Sequence, residues 1–331
     1  MQHPEIAHPH DMLVRRFLTD PELMADLLQH YPQKPAEQRM VALLDLKRLV
    51  CKDPVTVNER LVEIRGDLRF STSFKESDRE SNVYLLFEHQ STKDPKFRLR
   101  GLDSIVQEYK KFWENTKGQE KFPYPIVLVL YHGTAPWEHI PEMDDLIEIA
   151  PGMMTGLLNY LLIFVDITPL LRGDFKGHPV LQTVLESLQL GSRGELAENF
   201  ERVIERLLAV KDDPRMGGWL PSFGQYAMSV DDIDTEQVAK AFSKIVNKEE
   251  ANKMAQTTAE KLWTGGKAEG KAEAQTETAR EIILESMREK FGKVPKHIES
   301  AINQMNDPIA LKSLAVRTAN CKTLDEFIEE L

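Results

Sequence analysis

Two cysteines in 331 residues are too few for a disulfide framework, and neither Cys51 nor Cys321 belongs to a zinc-binding pattern. A fold stapled by disulfides or by structural zinc is therefore excluded, and a reducing, cytoplasmic setting is expected. Long apolar runs are also missing. Leu157–Val165 is interrupted by Asn159 and Tyr160 and meets Asp166 and Pro169, so it reads as a buried strand and not as a span. Met1–His10 lacks the basic start and apolar run of an export signal, so no membrane partner is expected. Positive charge is scarce as well: the formal net charge is −11 and the pI is about 5.4. Coating nucleic acid by bulk electrostatics is excluded on that balance. A local basic groove drawing on Lys93, Lys96, Arg98, Arg100, Lys110 and Lys111 is not, although the same residues suit a solvated helix face.

What the chain does have is 41% hydrophobic and 29% charged residues, enough for one ordinary core and a helical appendage. His10-Asp11 opens a helix with Met12, Leu13, Phe17 and Leu18 at helical spacing, and Asp20-Pro21 restarts a second one running to about His30. Leu61–Phe70 alternates, with Val62, Ile64, Leu68 and Phe70 on one parity and Glu63, Arg65, Asp67 and Arg69 on the other. That pattern predicts a half-buried strand with a charged face. After a polar turn over Lys75–Ser81, the segment Asn82–Gln90 predicts its hairpin partner, on which Glu88 and Gln90 share a face. A helical pattern covers Lys96 to about Asn115. The nearly continuous apolar run Pro125–Leu130 reads as a central strand, and Leu161–Asp166 as one more.

From about Thr183 the pattern is helical, with breaks at Gly191–Gly194 and Asp212–Gly218. The tract Gly265–Ala274 repeats a Gly-Lys-Ala-Glu unit and reads as an exposed helix or a mobile tether. Beyond it, Ile282, Ile283, Met287, Phe291, Ile298 and Leu311 predict a small helical unit. The expected organisation is an α/β domain over 1–210, a helical linker with the charged tract over 211–276, and a helical C-terminal unit over 277–331 through which copies of the chain could associate.

Phosphodiester hydrolysis needs an activated water and neutralised phosphate charge, and a divalent metal held by carboxylates supplies both. Asp67 on one strand, Glu88 on the next, and Gln90 beside Glu88 provide two carboxylates and a third polar group, with the backbone carbonyl of His89 as a further donor. An acid on each strand of a hairpin is also what an ordinary solvated face presents.

The chain resembles the recombination-promoting nuclease (Rpn)/putative transposase family, a branch of the PD-(D/E)XK superfamily. The likeness runs through His10-Asp11, Phe17 and Asp20-Pro21; Leu44-Asp45-Leu46; Asp67-Leu68; Tyr84-Leu85-Leu86-Phe87-Glu88-His89-Gln90-Ser91; Phe97-Arg98; and Tyr131-His132-Gly133 with Pro136-Trp137. These follow in the family's order over roughly the first 140 residues, and the Glu88–Ser91 block is the most specific. The Gly-Lys-Ala-Glu tract and Phe291-Gly292 resemble the tails of these proteins.

The resemblance implies a PD-(D/E)XK nuclease-like mixed central sheet flanked by helices. It also implies a Mg²⁺-dependent DNA endonuclease that promotes recombination, with Mn²⁺ as a substitute metal and Ca²⁺ as an effector. Asp67 and Glu88 would ligate the metal, and Gln90 would take the place of the motif lysine. Glutamine orients by hydrogen bonds and brings no charge. Gly101 departs from the family's helix and weakens it by about 1 kcal/mol relative to alanine.

Other residues have two readings each. His89 is a core histidine or a catalytic one. Asp11 caps the first helix or reaches the site. Tyr131 and His132 shape a turn or touch substrate, and Arg98 holds a phosphate or an ion-pair partner. Glu63, roughly 13 Å from Asp67 along a strand, reads as a partner of Arg65 or Arg69. The competing function is an inactive relative using the nuclease fold as an interaction module. A DDE-type transposase finds no third acid at suitable spacing, and no helix-turn-helix or zinc module is present.

Overall fold

The computed structural model describes residues 8–52, 68–77, 83–116, 121–148, 158–292, 294–305 and 308–321. The chain opens with three helices, α1 (Pro9–Leu18), α2 (Pro21–His30) and α3 (Pro35–Leu43). Proline stands at the start of each, where its missing N–H costs nothing. Asp20 caps α2 by accepting from the Glu22 N–H at 2.9 Å. Strands β1 (Val50–Cys51), β2 (Leu68–Thr72) and β3 (Val83–Gln90) then form an antiparallel ribbon in which Leu68 lies opposite Phe87. The expected hairpin is present in its described part. Asp67, Glu63 and most of the predicted first strand lie outside the described residues, as does the end of the predicted turn.

Helix α4 (Phe97–Thr116) connects β3 to β4 (Tyr124–Tyr131), which pairs parallel to β3, and β5 (Leu161–Asp166) pairs parallel to β4. The described strands form one mixed five-stranded sheet in the order β1-β2-β3-β4-β5. β4 has strands on both sides, which is why its sequence is apolar on both parities: Ile126 to Leu130 are all fully buried. Architecture and sequence agree on an α/β fold with a helix-flanked mixed sheet and a helical C-terminal region, consistent with a nuclease-like fold.

The odd positions of β4 and the even positions of β3 and β5 carry Leu86, Val127, Val129, Tyr131 and Leu162, which pack with Phe97 and Ile105 of α4 and with Trp137. Helix α5 (Pro179–Arg193) starts four residues before the predicted onset and packs with α1, α6 (Leu196–Ile204) and α7 (Met216–Val230). α8 (Thr235–Phe242) packs in turn on α6.

The first compact unit therefore runs from His8 to Lys261, and residues 211–261, expected to belong to a linker, carry buried core such as Trp219, Phe223, Tyr226, Val238 and Phe242. The second begins at Leu262, inside α9 (Lys248–Phe291), so the charged tract is helical throughout. Alanine, lysine and glutamate are strong helix formers and outweigh the scattered glycines. With α10 (Lys296–Gln304) and α11 (Pro308–Asn320), the second unit buries Ile283, Met287, Ile298, Ile302 and Leu311.

Gly101 is explained by packing. A Cβ there would lie 2.2 Å from the Tyr160 hydroxyl, which donates to the Arg98 carbonyl at 3.1 Å. Helix propensity alone predicts that Gly101→Ala stabilises the protein by about 1 kcal/mol. The packing predicts the opposite, a loss of about 1 to 3 kcal/mol in urea denaturation, relieved when Tyr160→Ala is added. Stabilisation by the single change would contradict this account.

Candidate functional site

Alternation along β3 sends adjacent side chains to opposite faces of the sheet. Glu88 and Gln90 face α4, and Glu88 lies opposite Val129 of β4, deep enough that its side chain is 3% exposed. A buried carboxylate without a partner costs several kcal/mol. Here Glu88 Oε2 accepts from Arg100 Nη2 at 3.1 Å and from Gln90 Nε2 at 3.4 Å. Arg100 also reaches Asp94 Oδ2 through Nη1 at 3.1 Å, and its guanidinium stands 5.0 Å from the centre of the Phe97 ring. Asp94 accepts from the Lys96 N–H at 2.9 Å, which fixes the turn leading into α4. The first turn of α4 is thus tied to the end of β3.

His89 points the other way. Its Nε2 bonds Asp11 Oδ1 at 2.7 Å and its Nδ1 meets His132 Nε2 at 3.2 Å, while His132 Nδ1 meets Ser192 Oγ at 2.9 Å. A carboxylate only accepts, so one consistent arrangement has Ser192 donating to His132, His132 to His89, and His89 to Asp11. His10 packs against His132 with ring centres 4.8 Å apart and bonds the buried Tyr226 hydroxyl at 2.9 Å. Burial, then the neighbouring His10 and His89, holds His132 well below the ordinary histidine range, and burial with His89 lowers His10 to about 4. Burial is the largest single influence on Asp11 and opposes its ionisation, but the hydrogen bond to His89 and the nearby charges of His89, His8 and Arg15 together leave the carboxyl below its ordinary value.

Of the residues expected at the site, Glu88 and Gln90 are brought together, and Asp67 lies outside the described residues. Asp11 pairs with His89 and makes no cap bond in α1. His89 is half-buried, with both ring nitrogens in hydrogen-bond contact. Arg98, expected on phosphate or in an ion pair, is in the pair: it is buried, bonds Glu142 at 2.5 Å and donates to the Tyr160 carbonyl at 3.0 Å.

Tyr131 and His132 are interior too, so the substrate contact considered for them meets closed packing. The Tyr131 hydroxyl donates to the Ala135 carbonyl at 3.0 Å, and a Cβ on Gly133 would come within 2.1 Å of that hydroxyl and 2.8 Å of the Ser91 carbonyl. Arg69 pairs with Glu108 of α4 at 2.7 Å, and Glu63, its expected partner, lies outside the described residues. Sequence reasoning did not assign Arg100 or Asp94 to Glu88. The usable signal was an arginine one helical turn after Phe97, beside a helix-capping aspartate.

Mg²⁺ takes hard oxygen donors, and the Glu88 carboxylate and Gln90 amide oxygen are of that kind. The location also favours positive charge, as the Arg100 contact demonstrates. Among the described residues no three His, Cys, Asp or Glu side chains are grouped to hold a metal, so a complete ligand set requires a donor outside them.

The chain belongs to the family described as "Putative transposase, YhgA-like", which matches residues 8–215. The relatives place it within the nuclease-related Rpn group. The inactive recombination-promoting nuclease-like protein RpnE of Escherichia coli (strain K12) is 25% identical over 310 residues, covering 90% of this chain and 95% of that protein. From the same organism, the recombination-promoting nuclease RpnA is 26% identical over 133 residues, covering 40% of this chain and 43% of RpnA. The protein called "Putative inactive recombination-promoting nuclease-like protein YjiP", also from that organism, is 33% identical over 87 residues, 26% of this chain and 78% of YjiP. No solved structure matches.

The histidine cluster sets a pH dependence. His10 titrates at about 4 when folded against 6.5 when unfolded, so between those values the unfolded chain binds more protons and acid destabilises the fold. Stability is complete above about pH 6.5 and falls as the pH drops towards 4, by on the order of 2 to 3 kcal/mol for this group. Urea denaturation at about pH 7 and pH 4.5 should show a drop that is smaller in His10→Gln. Equal drops in parent and variant would contradict the assignment.

Proposed function

We propose that this chain is a Mg²⁺-dependent DNA endonuclease whose breaks feed recombination. The observation that carries the reading is the buried Glu88 carboxylate, held beside Gln90 at the end of β3 and already drawing a cation. Asp67 is the residue preceding Leu68, whose partner Phe87 precedes Glu88, and the family motif assigns it the second carboxylate. Asp67, Glu88 and the His89 carbonyl would hold the metal, which when bound would polarise the phosphate and acidify a water. Mn²⁺ would substitute for Mg²⁺.

Gln90 orients that water by a hydrogen bond. Exposed cations follow β3 in the chain, Lys93, Lys96 and Arg100, and would meet the DNA backbone despite the acidic whole.

A second reading, a nuclease fold kept as an interaction module, is favoured by the word "inactive" in the names of RpnE and YjiP. In that case the C-terminal unit would be the natural place for a second copy of the chain to bind. Cleavage of supercoiled DNA in Mg²⁺ or Mn²⁺ separates the two. The endonuclease reading predicts nicking by the parent, none by Asp67→Ala, a rate about 10- to 100-fold lower for Gln90→Ala, and retained activity for Gln90→Lys. A parent as silent as Asp67→Ala would leave the module reading.

A further inference from the structure

Arg100 is in direct contact with Glu88, and the family motif does not account for its position. Its side chain is 46% exposed, yet one nitrogen reaches a carboxylate that is 3% exposed, while the other is held by Asp94. The guanidinium also stands over the Phe97 ring, so this arm can leave Glu88 without losing its other two supports. Two facts about charge then conflict. A buried carboxylate needs a cation when no metal is bound, and a guanidinium about 3 Å from that carboxylate repels a divalent ion seeking the same oxygens.

We propose that Arg100 is a place-holding cation: it occupies Glu88 in the metal-free chain, is displaced when a divalent metal binds there, and then faces the scissile phosphate. In that second position it supplies the fixed positive charge that Gln90 cannot. Arginine suits both positions, because its planar fork pairs with carboxylate and with phosphate alike. The inference rests on the reading of Glu88 as a metal ligand and adds a competitor for it.

The test is Mn²⁺ binding to the full chain by calorimetry, with single-turnover cleavage measured alongside. Arg100→Ala, and Arg100→Met, which keeps an unbranched apolar stem, should bind Mn²⁺ about 2- to 5-fold more tightly, the size expected for losing one partly exposed ion-pair competitor. Both should cleave at least about tenfold more slowly at saturating metal. Arg100→Lys should bind Mn²⁺ like the parent. A role in folding alone would not tighten metal binding. Unchanged or weaker Mn²⁺ affinity in Arg100→Met overturns the proposal. Failure of the underlying reading looks different: Glu88→Gln would then bind Mn²⁺ as well as the parent does.

Discussion

The two-residue period of β3 is the constraint on which the rest of this structure depends. At Glu88-His89-Gln90 it divides three consecutive polar side chains between the two faces of a buried sheet. The face towards α4 receives Glu88 and Gln90, and with them the need for a cation, met by Arg100. The other face receives His89, whose bonds to Asp11 and His132 tie α1, β3 and the end of β4 to Ser192 of α5. A slip of one residue would exchange the two environments, placing a carboxylate among neutral histidines and an imidazole beside an arginine.

This division also sorts the polar residues of the family pattern by role. Asp11, His89 and His132 form a hydrogen-bonded chain that His10 joins through its ring contact with His132, and Arg98 is spent on Glu142 and Tyr160. Their chemistry goes into holding helices to the sheet. The two that face the charged side, Glu88 and Gln90, are the ones left near exposed cations. Motif membership alone does not distinguish these roles; the face of the sheet does.

Much of the fold was legible because strand and helix periodicities are local. The apolar run of β4 announced a central strand, and the alternation in β3 put Glu88 and Gln90 together. What was not legible depends on contacts distant in the chain. Gly101 reads as a helix defect until Tyr160 is seen against it, and Asp11 reads as a helix cap until His89 is found 78 positions later. The extent of the first compact unit depends on such contacts too, since α7 packs on α1 and α8 on α6. Arg100 was visible as a basic residue, but its partner was set by the crossover between β3 and β4.

The central claim is that Glu88 is a metal ligand approached from α4 by a competing arginine. Anomalous diffraction from crystals grown with and without Mn²⁺ tests it most directly. The account predicts a manganese peak within about 2.0 to 2.4 Å of a Glu88 carboxylate oxygen, with the Arg100 guanidinium moved off that carboxylate and still on Asp94. A crystal saturated with Mn²⁺ that shows no peak at Glu88, with the Arg100 pair intact, would contradict it.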